Sequence, residues 1–139
     1  MNRTIQFRGK AVKCSLFPNN EWVDGFYYED LVDGKTASFI KCGELNVKVI
    51  PETVGQFTGL LDASGKEIYE GDILELKDNT NTDEENRVVR TEVAFKDGAF
   101  GIIGEITGNL LSFFDYPIVN EVVVGNIHDN QELLEGGEK

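Results

Sequence analysis

Few residues of this 139-residue chain could do chemistry: Glu70 and Asp72, two positions apart, the single histidine His128, and the cysteines Cys14 and Cys42. In an extended segment Glu70 and Asp72 project to one side, the minimum arrangement for a carboxylate pair in acid–base or Mg²⁺ chemistry. Gly71 between them marks a turn instead, where aspartate serves to accept backbone N–H groups. A metal centre on His128 would need carboxylates or thiols for every other ligand, and Asp129 beside it is insufficient. A loop histidine next to a helix start is the better reading. Cys14 lacks the histidine partner that a nucleophilic thiol requires, since His128 is far away in sequence. The run GQFTGLLDASGK fails as a phosphate-binding loop: Gly59 to Gly65 spans one residue too many for GxxxxGK[ST], and Glu67 follows Lys66. GxSxG and HExxH are absent. No catalytic residue, cofactor or metal ligand is therefore assigned, and Glu70 and His128 stand only as weak candidates for surface interaction.

The segments that would position these residues read as strands. Ile5 and Phe7 alternate with polar neighbours, and EWVDGFYYEDLV forms a strand with apolar character on both faces. Asp33-Gly34 supplies the positive φ angles of a tight hairpin, Ala37–Lys41 returns, and Val47 and Val49 belong to a strand that stops at Pro51. From Pro51 to Leu76 turn residues take over. Asp62-Ala63-Ser64-Gly65 predicts a turn in which aspartate or serine bonds nearby N–H groups while glycine takes a left-handed position. Strands follow at Ile73–Leu76, Val88–Phe95, Ala99–Ile103, Leu110–Phe114 and Glu121–Val124, with a hairpin at Asp97-Gly98 and one helical turn after Asp129-Asn130.

The expected fold is mainly β with little helix: a small N-terminal antiparallel sheet over residues 1–50, packed with an SH3-like small β-barrel over 51–139. A mobile acidic loop is expected near 78–88 and fraying over 136–139.

Aromatic residues gather at Trp22, Phe26, Tyr27 and Tyr28, and again at Phe113, Phe114 and Tyr116. Most such rings serve the core, but Tyr27 and Tyr28 point to opposite faces of a strand, which leaves one of them exposed. Trp22, Tyr27 and Tyr28 are thus further candidates for surface contact, and an exposed aromatic edge predicts a homo-oligomer.

Charge is unevenly spread. Residues 1–60 hold seven basic and seven acidic side chains, whereas 61–139 hold six and eighteen, so the second half carries the whole net charge of −12. Such a half repels a phosphate backbone, and no direct nucleic-acid binding is expected. Two readings of this acidity stand: ordinary solubility with self-repulsion, the favoured one, and a surface that attracts a basic host or phage protein, including one that normally binds DNA. No window approaches the roughly 18–20 apolar residues of a membrane span, and the start MNRTIQFRGK lacks a signal-peptide h-region. These features predict a cytoplasmic protein away from membranes, with Cys14 and Cys42 as buried or half-buried free thiols.

The order PETVGQFTGL, then D-x-x-GK-EIYEGDI, then EVVVGNIHDNQELL resembles the YopX family of phage and prophage proteins. The similarity extends to the opening IxFRGK and to NEWVDGFYY at 20–28, sparing only the acidic loop at 78–90. The resemblance implies a small, mainly β protein of phages or prophages acting inside a bacterial host; it implies no activity, catalytic residue or ligand. It gives Pro51, Gly55, Gly59, Gly65, Tyr69, Gly71, Asp72, Gly125 and Asn126 the standing of a structural motif. The glycines at 55, 59, 65 and 71 set backbone conformation, Tyr69 and Ile73 anchor the core, and Gly125-Asn126-Ile127 closes the last strand and turn. His128 stands where relatives commonly carry tyrosine, which weakens any ligand role for it. The function expected is an accessory role exercised by protein association. The alternatives are an acidic DNA-mimic inhibitor of a nucleic-acid-binding host protein, or a carboxylate- or metal-dependent enzyme using Glu70, Asp72 and His128.

Overall fold

Short runs of β-branched and aromatic residues, separated by Gly-containing tight turns, build eleven strands in the computed structural model, which describes residues 4–78, 87–103, 109–115 and 118–134. The chain divides into two compact units, Met1–Gly59 and Leu60–Lys139. Among the described residues there is no α-helix, and none is long and apolar enough to cross a membrane.

The first unit contains β1 (Phe7–Lys10), β2 (Trp22–Val32), β3 (Lys35–Cys42), β4 (Leu45–Val49) and most of β5 (Gly55–Leu61). Asp33 at φ 53° and Gly34 at φ 80° join β2 to β3, the two positive angles that a two-residue hairpin needs for its twist to match the strands. All pairings are antiparallel, in the order β4-β3-β2-β1-β5. An isolated bridge between Ala11 and Val49 ties the residue after β1 to β4. Alternation sends Val23, Ile40, Val47 and Val49 inward, where they bury against Ala11, with Phe7, Tyr27 and Val54 packed around them. Pro51–Thr53 forms a 3₁₀ turn rather than a plain stop, with Pro51 at its first position. The Thr53 hydroxyl donates to the Ile50 carbonyl at 2.6 Å and accepts the Lys10 N–H at 2.9 Å.

The second unit holds β6 (Glu67–Tyr69), β7 (Asp72–Asp78), β8 (Arg87–Lys96), β9 (Ala99–Ile103), β10 (Leu110–Ser112) and β11 (Val122–Asn126). β6 follows β5 in strand order, and the other five form an antiparallel sheet in the order β10-β9-β8-β7-β11. Asp97 at φ 54° and Gly98 at φ 82° make the second tight hairpin. Ile68, Leu74, Val93 and Phe113 form the buried centre, flanked by Phe100, Ile102, Ile118 and Val123.

Two antiparallel sheets are as expected. Neither sheet closes, so the barrel expected over 51–139 is not seen as a closed structure: β10 and β11 remain as edges. Cys14 is exposed, against the expectation of burial, because it lies in the irregular segment between β1 and β2; Cys42 is half-buried, and both are free thiols. The expected helical turn after Asn130 is a 3₁₀ turn at Gln131–Leu133 without a side-chain cap, since Asn130 Oδ1 accepts the Asn126 N–H at 3.2 Å instead. The acidic loop expected near 78–88 and the terminus 136–139 fall almost wholly outside the described residues.

Candidate functional site: the Asp62 loop and the Glu70–Asp72 turn

The turn after β5 is built around one carboxylate. The Asp62 backbone N–H donates to the Lys66 carbonyl at 2.8 Å and the Gly65 N–H to the Asp62 carbonyl at 3.0 Å, with Gly65 at φ 91°. Asp62 Oδ1 accepts the Ser64 N–H at 2.8 Å, the Ser64 hydroxyl at 2.8 Å and the Lys66 N–H at 2.9 Å. Asp62 Oδ2 accepts the Val123 N–H from β11 at 2.8 Å, and the Ala63 N–H donates to the Glu121 carbonyl at 2.9 Å. One buried side chain thus holds its own turn and clips it to a strand 61 residues later.

Burial alone would raise the Asp62 pKa, but the donors from Val123, Lys66 and Ser64 outweigh it and lower the value from 3.8 to about 2. Both oxygens are occupied and ionised, so the group is structural. Its folded pKa is depressed, so its contribution is present above about pH 4 and is lost as pH falls through about 2. Allowing for screening in a surface turn, that contribution is about 1–2 kcal/mol. Urea midpoints of the second unit are therefore expected to fall between pH 4 and pH 2, with the fall reduced in Asp62→Asn. Parallel pH profiles for the two proteins would contradict this.

The Glu70–Asp72 turn is also committed to structure. Gly71 takes φ 93°; its N–H donates to the Val93 carbonyl at 2.8 Å and its carbonyl accepts the Ile127 N–H at 2.8 Å. Asp72 is 1% exposed and its Oδ2 accepts the Tyr69 N–H at 2.7 Å, closing an aspartate turn. Glu70 is half-buried, and after burial itself its charge is the second cause that raises the pKa of Glu92. His128 is exposed, with its backbone N–H on Asn126 Oδ1 at 2.9 Å. The backbone therefore brings residue 127 to Gly71, but Asp72 faces inward and His128 outward. Among the described residues no group of three His, Cys, Asp or Glu side chains could hold a metal ion.

The remaining motif positions are backbone-defining or buried. Gly59 adopts φ 89°, whereas Gly55 is a buried strand residue opposite Arg8. Tyr69 and Ile73 are both buried. A Cβ on Gly125 would stand 2.6 Å from Asn130 Oδ1, and Asn126 Oδ1 closes the turn directly after β11 by accepting the N–H groups of His128 and Asp129, each at 2.9 Å.

The aromatic candidates divide differently from the expectation. Tyr27 and Tyr28 are both half-buried. Tyr27 packs against the first core and its hydroxyl donates to Glu29 Oε2 at 2.7 Å, the main reason its pKa is raised. Tyr28 stacks on Phe39 with centroids 5.3 Å apart, which covers the ring that alternation would otherwise expose. The exposed ring of this strand is Phe26, at 68%. Trp22 carries the Arg8 guanidinium 4.7 Å and the Lys10 ammonium 5.8 Å from its ring centroid. This pairing of cations with Trp22 went unread in the sequence, although Arg8 and Lys10 alternate as one strand face requires.

No curated protein matches the chain. Among solved structures it is similar to the crystal structure of protein EF1440 from Enterococcus faecalis, at 22% identity over 96% of this chain and 100% of that one, with a TM-score of 0.48. The family model described as YopX protein matches residues 10–135. With nearly its whole length matched, motif segments included, the chain belongs to the YopX family.

Proposed function

We propose that this protein is an accessory factor of phages or prophages that works by associating with protein, its own copies included, and not by catalysis. The far end of the β2–β3 hairpin carries the reading. Glu29–Val32 is exposed on both faces, with Leu31 at 68% and Val32 at 39%, so an apolar side chain stands on each face of a two-stranded ribbon. A groove of about 480 Å³ continues from it, lined by Val32, Lys35, Thr36, Lys48, Ile50 and Pro51. Among the described strands, the edge at β10 offers a further pairing site, whereas β11 is clipped by the Asp62 turn. The second unit's order, a meander whose fifth strand returns beside the first, supports reading it as an SH3-like barrel, a fold that serves association. Ionised, hydrogen-bonded Asp62 and inward-facing Asp72 speak against acid–base work in the turns.

Light scattering tests the self-association. The native chain is expected above 15.5 kDa, and a Leu31→Glu, Val32→Lys double variant is expected to return to 15.5 kDa with an unchanged circular dichroism spectrum. A native particle of 15.5 kDa at every concentration would refute it.

A further inference from the structure

Charge counted over halves conceals how the first sheet sorts its side chains. Positions 9, 23, 25, 27, 40, 47 and 49 face the core: Ile40 and Val49 lie 3.3 Å from where a Gly9 Cβ would be, and Ile40 lies 3.4 Å from a Gly25 Cβ. The alternate positions therefore share the outer face. There Lys10 stands opposite Trp22, with Arg8 also over the indole. Further along, Phe26 stands opposite Lys41, Tyr28 opposite Phe39, and Phe39 opposite Lys48. Arg8, Lys10, Lys41 and Lys48 thus interleave with four aromatic rings, against Asp24 and Asp30 on the same face. Along β2, Phe26 and Tyr28 lie about 6.8 Å apart and Trp22 about twice that distance before Phe26, with Asp24 between; cross-strand neighbours are about 5 Å apart, which puts a cation directly across from Trp22, Phe26 and Phe39.

We propose that this outer face binds single-stranded nucleic acid, with bases stacking on Phe26 and its neighbours and phosphates meeting Lys41, Lys48 and the Arg8–Lys10 pair. Phe26, the exposed ring, supplies flat apolar surface that any base can use, flanked by the half-buried Tyr28–Phe39 stack, and the cations supply charge complementarity to a phosphate chain. A duplex keeps its base faces stacked and would gain only the electrostatic part. The acidic excess that argues against phosphate binding belongs to residues 61–139, while residues 1–60 balance at seven and seven.

The test is fluorescence anisotropy of the full chain with labelled oligo-dT of about 20 nucleotides, longer than the roughly 4–16 that one small β fold covers. At about 50 mM salt, oligo-dT is expected to bind more tightly than a duplex of equal length. Phe26→Ala should weaken it by about tenfold or more. Lys41→Gln with Lys48→Gln should flatten the dependence of log K on log salt by about 1.4. Phe114→Ala, at a ring 92% exposed in the second unit, should change nothing. All substituted side chains are exposed, and circular dichroism verifies folding. No binding at about 100 µM protein in about 50 mM salt, equal affinity for duplex, or binding insensitive to the Phe26 and lysine variants overturns the proposal. So does displacement of the DNA by poly-glutamate of equal charge, which would mark a surface for acidic protein.

Discussion

Asp62→Ala is expected to destabilise the second unit by about 3 kcal/mol, read as a lowered urea midpoint and faster amide exchange at Val123, Leu74 and Val93. The carboxylate accepts four hydrogen bonds, three from its own turn and one from β11. Bonds to a charged group contribute about 1.5–3 kcal/mol each, but they do not add. Ser64 and Lys66 are exposed, so water takes over their N–H groups; the Val123 N–H, in a half-buried strand, has no such replacement. The loss is therefore set by Val123 and by the freed turn, not by the sum of four bonds. Asp62→Asn should cost less, about 2 kcal/mol: its oxygen can keep the turn, but its amide then faces the Val123 N–H donor to donor. If alanine and asparagine proved equal and near zero, the turn would be holding itself and the clip to β11 would carry no weight.

The Asp62 turn was largely legible in sequence because its cause is local. Aspartate two residues before serine and three before glycine prescribes an aspartate turn with a left-handed glycine wherever it occurs. Asp33-Gly34 and Asp97-Gly98 were legible for the same reason, since few residue pairs accept two positive φ angles. The return of β11 to β7 was not, because a contact between Val123 and Leu74 depends on everything between them. Closure of the second sheet is likewise a property of twist and edges, which five strand-like runs do not encode. At the Glu70–Asp72 turn, Gly71 correctly argued for backbone bonding, but the inward aim of Asp72 toward the Tyr69 N–H was not visible. The cationic outer face of the first sheet was missed for another reason. A count of seven and seven is neutral, and only strand register shows that Arg8, Lys10, Lys41 and Lys48 lie on one side.

Gly25 is the other residue whose importance register reveals. It pairs with Phe7 on β1, and its neighbour Phe26 pairs with Lys41 on β3, so β2 changes partners at this point. The change requires a backbone at φ 154°, in the range that glycine tolerates, and a Cβ there would run into the Lys41 carbonyl oxygen, with the carbonyl carbon at 3.0 Å. Relief would have to come from the β2–β3 ladder itself, since the obstacle is backbone and not a side chain that can rotate away. Gly25→Ala is accordingly expected to cost about 3 kcal/mol or more and to lower the melting temperature of the first unit by about 12–20 °C, with a shift in Trp22 emission as the β1–β2 pairing loosens. Gly34→Ala is the matched comparison. It also has positive φ, at 80°, but open space around its Cβ, and should cost only about 1 kcal/mol. The two variants differ both in the collision and in backbone region, φ 154° being far less open to alanine than φ 80°, so their difference measures the combined demand of the partner change at Gly25. Equal melting temperatures for the two would mean that β2 can shift at Gly25 without cost, and the change of partner there would then not be what fixes the register of Tyr27 and Ile40 in the core.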